Sequence, residues 1–189
     1  MKKQDRPLRL LAISGSLRAN SSNTALLRAA AMLAPEGMEI SVYNGLGELP
    51  HFNPDLEDAA LPVVKDFWLR VRTADGLLIS SPEYAHGVPG VLKNALDWLV
   101  GGEDFIDKPV ALFNASPRST YAHASLTEIL TIMSGRIVSE ASITIALLEK
   151  HLDEAGIVAH AEIVSTVRTA LVAFADAIER MRVATVSGQ

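Results

Sequence analysis

Cysteine is absent from the 189 residues of this sequence. Its absence excludes disulfide bonds, thiolate nucleophiles, cysteine-ligated zinc and iron–sulfur clusters from the chemistry of the chain. A sequence without cysteine also suits a reducing compartment, where disulfides are rare in any case.

Long apolar runs and an excess of basic charge are also missing. The apolar run at residues 8–13 follows a charged stretch at residues 1–7 and is far too short for a signal peptide core or a spanning helix. The formal net charge of -5 at pH 7 leaves no broad basic face for nucleic-acid phosphates or an anionic membrane. We therefore expect a soluble, cytoplasmic protein that binds neither nucleic acid nor membrane.

Motifs of hydrolases and metalloenzymes are lacking as well. No Gly-x-Ser-x-Gly elbow is present to expose a serine nucleophile. The 5 histidines are scattered, and no two of them have the i, i+4 spacing that binds zinc on a helix. The sequence thus points to no catalytic side chain and no metal site.

The composition is that of a packed globular chain, with 49% hydrophobic and 21% charged residues. The length allows a full hydrophobic core but is below the size at which chains usually divide into several domains. No internal repeat or low-complexity tract is present. We expect one domain over residues 1–189.

Short apolar runs of β type alternate with longer segments of helical periodicity, which predicts an α/β fold with a parallel sheet covered by helices. Five β-regions are expected, near residues 8–13, 38–43, 76–80, 110–113 and 137–148. The second should lie at an edge and the third at the centre. With right-handed crossovers, the simplest arrangement is a flavodoxin-like, doubly wound five-stranded parallel sheet of order 2-1-3-4-5. A six-stranded dinucleotide-binding order is the alternative.

A helix is predicted to begin just after the first strand, near Ser21, Ser22 or Asn23, all good N-cap residues. Free backbone N–H groups and the helix dipole at such a place attract an anion. Ser16, Ser22 and Asn23 add side-chain donors, and Arg18 adds a cationic fork. The set suits a phosphomonoester, whereas the alternative interpretation is an ordinary turn and helix cap with Arg18 in solvent.

The same segment lacks the Gly-x-Gly-x-x-Gly spacing of dinucleotide-binding folds and the Gly-x-x-x-x-Gly-Lys spacing of phosphate-binding loops in nucleotide hydrolases. ATP and a resident NAD are therefore not indicated. The missing spacing also counts against the six-stranded order.

A second set of residues follows the third strand, which should place it across a crevice from the first. Pro82 and two nearby glycines constrain the loop, so that backbone N–H groups around Glu83 and Tyr84 are expected to face a ring carbonyl. Tyr84 and His86 offer flat surfaces. This combination predicts a site for a planar ligand of the flavin type, and the alternative is a surface turn that only sets the entry of a helix.

Two sequence motifs carry a resemblance to a known protein family. Gly-Ser-Leu-Arg at 15–18 with Ser-Ser-Asn at 21–23, and Ser-Pro-Glu-Tyr at 81–84 with Val-Pro-Gly-Val-Leu-Lys-Asn-Ala-Leu-Asp-Trp at 88–98, resemble the NAD(P)H-dependent FMN reductase family. That family includes flavodoxin-like quinone, chromate and azo-dye reductases. The resemblance covers most of the chain in strand order and length.

The resemblance implies an enzyme that passes hydride from NADPH or NADH through bound FMN to a quinone or similar small oxidant, and that forms a homodimer or homotetramer. Ser16, Arg18, Ser21 and Asn23 would hold the FMN phosphate. The loop after the third strand would contact the isoalloxazine ring. The complete predicted cofactor site is Ser16, Arg18, Ser21, Ser22, Asn23, Pro82, Glu83, Tyr84, Ala85, His86 and Ser116.

Two other functions use the same residues. A flavodoxin-like electron-transfer protein would bind FMN without oxidising NAD(P)H directly, and a binding module would have lost the cofactor. The sequence also departs from the family pattern, with Ala85 where members often carry Asn, and residues 116–121 where they often carry Gly-Gly. These departures affect the substrate side, near which Arg118 and His123 are expected.

Overall fold

The computed structural model describes residues 6–57, 61–148 and 150–187. The first five residues of the charged N-terminal stretch lie outside this range. The regular elements, in chain order, are β1 (Leu8–Ser14), α1 (Ser22–Met32), β2 (Met38–Tyr43), α2 (Pro62–Thr73), β3 (Gly76–Ser80), α3 (Gly90–Val100), β4 (Pro109–Asn114), α4 (Thr120–Ile132), β5 (Arg136–Ile137), β6 (Ile143–Thr144), α5 (Glu154–Ala159) and α6 (Ala161–Ser187).

The strands form a parallel sheet in the order β2-β1-β3-β4-β5. β1 is paired on both sides, so that Leu10 lies opposite Ile40 of β2 and opposite Gly76 of β3. β2 is at the edge and β3 is at the centre, as the sequence predicted. The flavodoxin-like order 2-1-3-4-5 is confirmed, and the alternative dinucleotide-binding order is wrong.

Two short strands share the fifth position of the sheet. β5 pairs with the beginning of β4, and β6 pairs with its end. Between them the chain makes a short 3-10 turn at Ser139–Ala141. The Ser142 hydroxyl replaces the missing ladder contact by accepting the Leu112 N–H at 3.0 Å. The β-region expected at residues 137–148 therefore consists of two short strands, and between them a side chain takes one backbone hydrogen bond of β4.

Both faces of the sheet are covered by helices, and alternate residues of each strand point to opposite faces. Leu10 and Ala12 of β1 pack with α1, α5 and α6, whereas Leu11 and Ile13 pack with α2, α3 and α4. Because both faces are buried, the central strands are apolar at nearly every position. This explains why they read as continuous hydrophobic runs in the sequence.

The closing helix α6 has the apolar stripe that its spacing predicted, and every member of the stripe is buried: Ile163, Val167, Leu171, Phe174 and Ile178. The short helix α5 before it was not predicted, because six residues are too few to show a helical period. Its start is capped by Asp153, whose carboxylate accepts the Gly156 N–H at 2.8 Å. None of the helices formed by the described residues is long and apolar enough to cross a bilayer.

Candidate functional site at the carboxyl edge of the sheet

The chain leaves β1 toward one face of the sheet and leaves β3 toward the other, so the loops after these two neighbouring strands diverge and leave a crevice. The Gly15 N–H donates to Ser80 O at 2.8 Å and holds the two loops together. A Cβ atom at Gly15 would lie 2.9 Å from Ser81 Oγ and 3.3 Å from Ser81 Cα. Only glycine allows this close approach, so Gly15 sets the floor of the crevice.

Side chains of the loop after β1 shape its backbone. The hydroxyls of Ser14 and Thr24 are 2.7 Å apart, which ties the end of β1 to the first turn of α1. Ser14 Oγ accepts the Ser16 N–H, and Ser16 Oγ in turn accepts the Arg18 N–H, each at 3.3 Å. Ser16 therefore holds the loop in shape, and its own O–H remains available as a donor to a ligand.

The first turn of α1 offers further donors. Of the three candidate N-cap residues, Ser21 is the one the structure uses, and its Oγ accepts the Thr24 N–H at 3.3 Å. The N–H groups of Ser22 and Asn23 have no partner among the described residues, as expected for the first turn of a helix. Asn23 is buried, and its Oδ1 accepts the Ser80 hydroxyl at 2.9 Å, which fixes α1 against β3.

The five residues predicted for the phosphate thus surround one loop, but they do different things. Ser16, Ser21 and Asn23 are all less than a tenth exposed and belong to the frame of the loop. Ser22 is half-buried and Arg18 is exposed. Unpaired N–H groups, two hydroxyl donors and an adjacent guanidinium make a donor set that matches a phosphate.

The loop after β3 is a small hairpin. The Tyr84 N–H donates to Gly87 O at 3.2 Å, and the Gly87 N–H donates to Tyr84 O at 3.0 Å. Ala85 and His86 form its tip with φ angles of +50° and +59°. Positive φ at both central residues is the mark of a type I′ turn, which normally carries Asn and Gly. The hairpin is therefore strained at two residues with full side chains.

The hairpin changes one expectation about the ring site. Of the two backbone donors predicted to face a ring carbonyl, the Tyr84 N–H is used inside the hairpin. The Glu83 N–H has no partner among the described residues and stays available. The Tyr84 side chain is 49% exposed at the rim, and Pro82 is half-buried beside it. A planar ligand would therefore meet Pro82, the Glu83 N–H and the Tyr84 ring.

Two contacts join this hairpin to α4, and neither was predicted. Glu83 Oε2 accepts the Ala122 N–H at 2.9 Å. The ring of His86 stacks on that of Tyr121, with centroids 4.2 Å apart. An acidic residue near a helix N-terminus is a recognisable signal, but the sequence does not show which helix it will meet.

The loop after β4 repeats the pattern of the loop after β1. Asn114 Oδ1 accepts the Ser116 N–H at 3.0 Å, and Ser116 Oγ accepts the Arg118 N–H at 3.2 Å. Ser116 is 5% exposed, so its side chain serves first to shape the loop. Arg118 is exposed. Because β4 lies beside β3, this loop is at the same edge of the sheet as the hairpin.

His123 lies below this edge, half-buried on α4. It lines a small cavity of about 10 Å³ together with Ser81 and Asn114. A cavity of this size holds about one water molecule. A wider cleft of about 600 Å³ lies between Trp68 and residues 101–104. These residues follow α3, so the cleft is at the amino edge of the sheet and away from the crevice.

Much of the sequence signature at 88–98 has a structural role. Asn94 accepts the Phe52 N–H at 2.8 Å and donates to Pro50 O at 2.9 Å. Trp98 also donates to Pro50 O, at 2.9 Å, and is 1% exposed. Lys93 and Asp97 form an exposed ion pair. The signature therefore fixes the long loop after β2 against α3.

Comparison with known proteins gives a consistent result. Residues 8–148 match the family model described as NADPH-dependent FMN reductase. An NAD(P)H-dependent FMN reductase of Pseudomonas aeruginosa is 41% identical over 112 residues, which cover 58% of this chain and 60% of that protein. The quinone reductase of Escherichia coli is 27% identical over 187 residues, which cover 93% of this chain and 98% of that protein.

The solved structure of the flavoenzyme NAD(P)H:(acceptor) oxidoreductase FerB from Paracoccus denitrificans superposes with a TM-score of 0.81 and 29% identity, over 91% of this chain and 97% of that one. A probable NADPH:quinone oxidoreductase of rice is 46% identical over 95 residues. The alignments with the P. aeruginosa and rice proteins span 60% and 47% of their lengths.

Proposed function

The chain belongs to the NADPH-dependent FMN reductase family, and from this premise we propose that it is an FMN-dependent oxidoreductase that takes hydride from NADPH or NADH and reduces a quinone or a similar small oxidant. The observation that carries the proposal is the crevice at the switch point of the sheet, where Gly15 lets the loops after β1 and β3 approach each other. One loop offers donors to a phosphate, and the other offers a strained hairpin with an exposed Tyr84.

The residues around the first loop fit the FMN phosphate. The N–H groups of Ser22 and Asn23 and the O–H groups of Ser16 and Ser21 would donate to its oxygens, and Arg18 would balance its charge. The positive end of the α1 dipole also attracts a phosphate. No acidic residue in the first turn of this helix competes for that position.

The second loop fits the flavin ring. FMN, when bound, supplies the ring that accepts a hydride from the nicotinamide and delivers it to the oxidant. Pro82 and Tyr84 would hold the ring in place, and the Glu83 N–H would stabilise negative charge at its carbonyl edge. Ser116 completes the third side of the site. Because the crevice is open on one side, the nicotinamide and the oxidant would use the same face of the flavin ring in turn.

The choice of a quinone as acceptor is supported by the relatives. The E. coli quinone reductase aligns over 98% of its own length, and a flat acceptor suits a rim where Tyr84 and Tyr121 are 49% and 59% exposed.

The test is anaerobic stopped-flow mixing of the FMN-loaded protein with NADPH and with NADH. We expect at least one nicotinamide to bleach the oxidised flavin, and steady-state turnover with a quinone to give parallel double-reciprocal lines. If neither bleaches the flavin, the chain is a flavodoxin-like electron-transfer protein. If colourless protein fails to take up added FMN, the chain is a binding module.

A second test addresses the phosphate site. Calorimetric titration should show one FMN bound per chain, with tighter binding than riboflavin. Arg18→Ala should weaken FMN binding by roughly 1.5–3 kcal/mol, the range for charge-assisted hydrogen bonds. Arg180→Ala is the control, because Arg180 makes an exposed ion pair with Glu140 far from the crevice. Equal losses in both variants would contradict the assignment of Arg18.

The assembly and location of the protein are further proposals. We infer a homodimer or homotetramer from the family and from the exposed apolar side chains of Leu17, Leu69 and Val100. The aromatic side chain of α3 does not support this, because Trp98 is buried within its own chain. Light scattering at micromolar concentration tests the assembly, and cell fractionation tests the proposed cytoplasmic location.

A further inference from the structure

The N-terminus of α4 lacks the groups that normally complete the start of a helix. Its N-cap, Ser119, makes no side-chain cap hydrogen bond, and the first turn contains no acidic residue. The backbone N–H groups of a first turn need an acceptor, and the helix dipole favours a negative charge there. Glu83 supplies both from a different loop, because its Oε2 accepts the Ala122 N–H at 2.9 Å.

The hairpin that carries Glu83 has an exposed and strained tip. Tyr84, Ala85 and His86 are exposed, and two of them have positive φ. A strained backbone persists only when its surroundings fix it. Two contacts between described residues reach from the hairpin to neighbouring residues of α4, the Glu83–Ala122 hydrogen bond and the His86–Tyr121 stack.

We propose that Glu83 is a positioning residue: its carboxylate binds the start of α4 and thereby fixes the hairpin, so that the Glu83 N–H and the Tyr84 ring face the flavin. The inference rests on the proposed function for the ligand, but the Glu83–Ala122 contact is present without the ligand. The sequence analysis placed only the backbone of Glu83 at the ring, and the structure adds a separate role for its side chain at the start of α4.

The proposal separates two properties of the site. FMN is anchored mainly by its phosphate on the loop after β1, which Glu83 does not contact. The alignment of the ring depends on the hairpin, and reacting atoms lose rate steeply when they are misplaced. Loss of the Glu83 tether should therefore lower the rate of flavin reduction far more than the affinity for FMN.

The experiment compares Glu83→Ala and Glu83→Gln with the wild type. Glutamine keeps an oxygen that can accept the Ala122 N–H, whereas alanine leaves that N–H unpaired. Asn53→Ala is the control, since it removes another side chain that accepts a backbone N–H, at the exposed turn Pro54–Leu56. Hydrogen–deuterium exchange of the apoprotein, the FMN dissociation constant and the rate of bleaching by NADPH are measured for each, with a thermal unfolding curve to verify folding.

We expect Glu83→Ala to speed exchange in residues 81–87 and 120–123 and to slow bleaching roughly ten- to hundredfold, with FMN affinity changed by only a few fold. Glu83→Gln should restore most of both properties, and Asn53→Ala should alter neither. Unchanged exchange in Glu83→Ala would overturn the proposal. It would also be overturned if Glu83→Gln kept the slow exchange of the wild type but bleached as slowly as Glu83→Ala, because the charge would then act on the flavin directly. If wild-type flavin is not bleached at all, the proposed function fails, while the exchange data still decide the role of Glu83.

Discussion

The imidazole ring of His86 lies on the phenol ring of Tyr121, with centroids 4.2 Å apart and ring planes 17° apart. The two residues come from different parts of the chain, the hairpin after β3 and the first turn of α4. Both are exposed, so the stack is held by the two rings more than by the core. The stack and the Glu83–Ala122 hydrogen bond join the same two segments, the hairpin and α4.

A double-mutant cycle should detect this stack. His86→Ala, Tyr121→Ala and the double variant, compared by urea unfolding, should give a coupling energy of about 0.5 kcal/mol, the lower end for aromatic pairs because both rings are exposed. A second double-mutant cycle, of Tyr121→Ala with His123→Ala, is the control and should show no coupling energy. Strict additivity for His86 and Tyr121 would mean that the rings are merely neighbours.

Ala85 should be a site where substitution stabilises the protein. Its φ of +50° is disfavoured for alanine and tolerated by asparagine, which is also the residue that the family often has there. Ala85→Asn should raise the free energy of unfolding by about 0.5 kcal/mol. Ala124→Asn, on the exposed face of helix α4, should instead lower it by a few tenths. A lower stability of Ala85→Asn would show that the tip is not strained.

Asp75 should make stability depend on acid pH. Burial alone would raise the pKa of Asp75, but hydrogen bonds from Arg6, the Arg9 N–H and Arg182 outweigh it and lower the pKa from 3.8 to about 2. Because the pKa is lower in the folded state, the stabilisation is complete above pH 3.8 and disappears as the pH falls toward 2. It amounts to about 2 kcal/mol.

The measurement is urea unfolding of the wild type and Asp75→Asn between neutral pH and pH 2. Asp75→Asn should be less stable at neutral pH, and its deficit should shrink through the acid range. Asp66→Asn is the control, because the Asp66 carboxylate is 48% exposed in its pair with Arg70. A constant deficit at every pH would contradict the pKa of Asp75.

Tyr43→Phe should stabilise the protein. The Tyr43 hydroxyl is buried and has no hydrogen-bond partner within the described part of the chain. Burial raises the pKa of Tyr43 to about 12, with a further contribution from Asp66. Removing an unpaired buried hydroxyl should add about 1 kcal/mol to the free energy of unfolding. Tyr121→Phe, at an exposed ring, should have no effect, and a loss of stability in Tyr43→Phe would mean that the hydroxyl has a partner.

Gly15→Ala should damage both the fold and the crevice. The added Cβ would lie 2.9 Å from Ser81 Oγ, 3.1 Å from a Leu92 methyl and 3.3 Å from Ser81 Cα. A backbone contact cannot be relieved by a rotamer change, so we expect a loss of about 1–3 kcal/mol in stability and weaker FMN binding. Gly102→Ala is the control, because open space surrounds that position. Normal FMN affinity in Gly15→Ala would show that the two loops tolerate separation.

Particular residues show how far the sequence could lead. The start of α1 at Ser22, the strands β2 and β3 with their bounds, and the stripe of α6 were all predicted, because each depends on local preferences and on periodicity. The sheet order also followed, since right-handed crossovers allow few alternatives. The interruption between β5 and β6 was not predictable, because it depends on a hydrogen bond between Ser142 and a residue thirty positions away.

The candidate site divides in the same way. The sequence by itself determined which residues gather at the carboxyl edge, because the ends of parallel strands must meet there and the motifs follow those ends directly. Only the tertiary structure decided what each side chain does. Glu83 binds α4, Asn23 binds Ser80 and the Tyr84 N–H closes a hairpin. Such contacts join segments that are distant along the chain, and their partners are fixed by packing that no local pattern encodes.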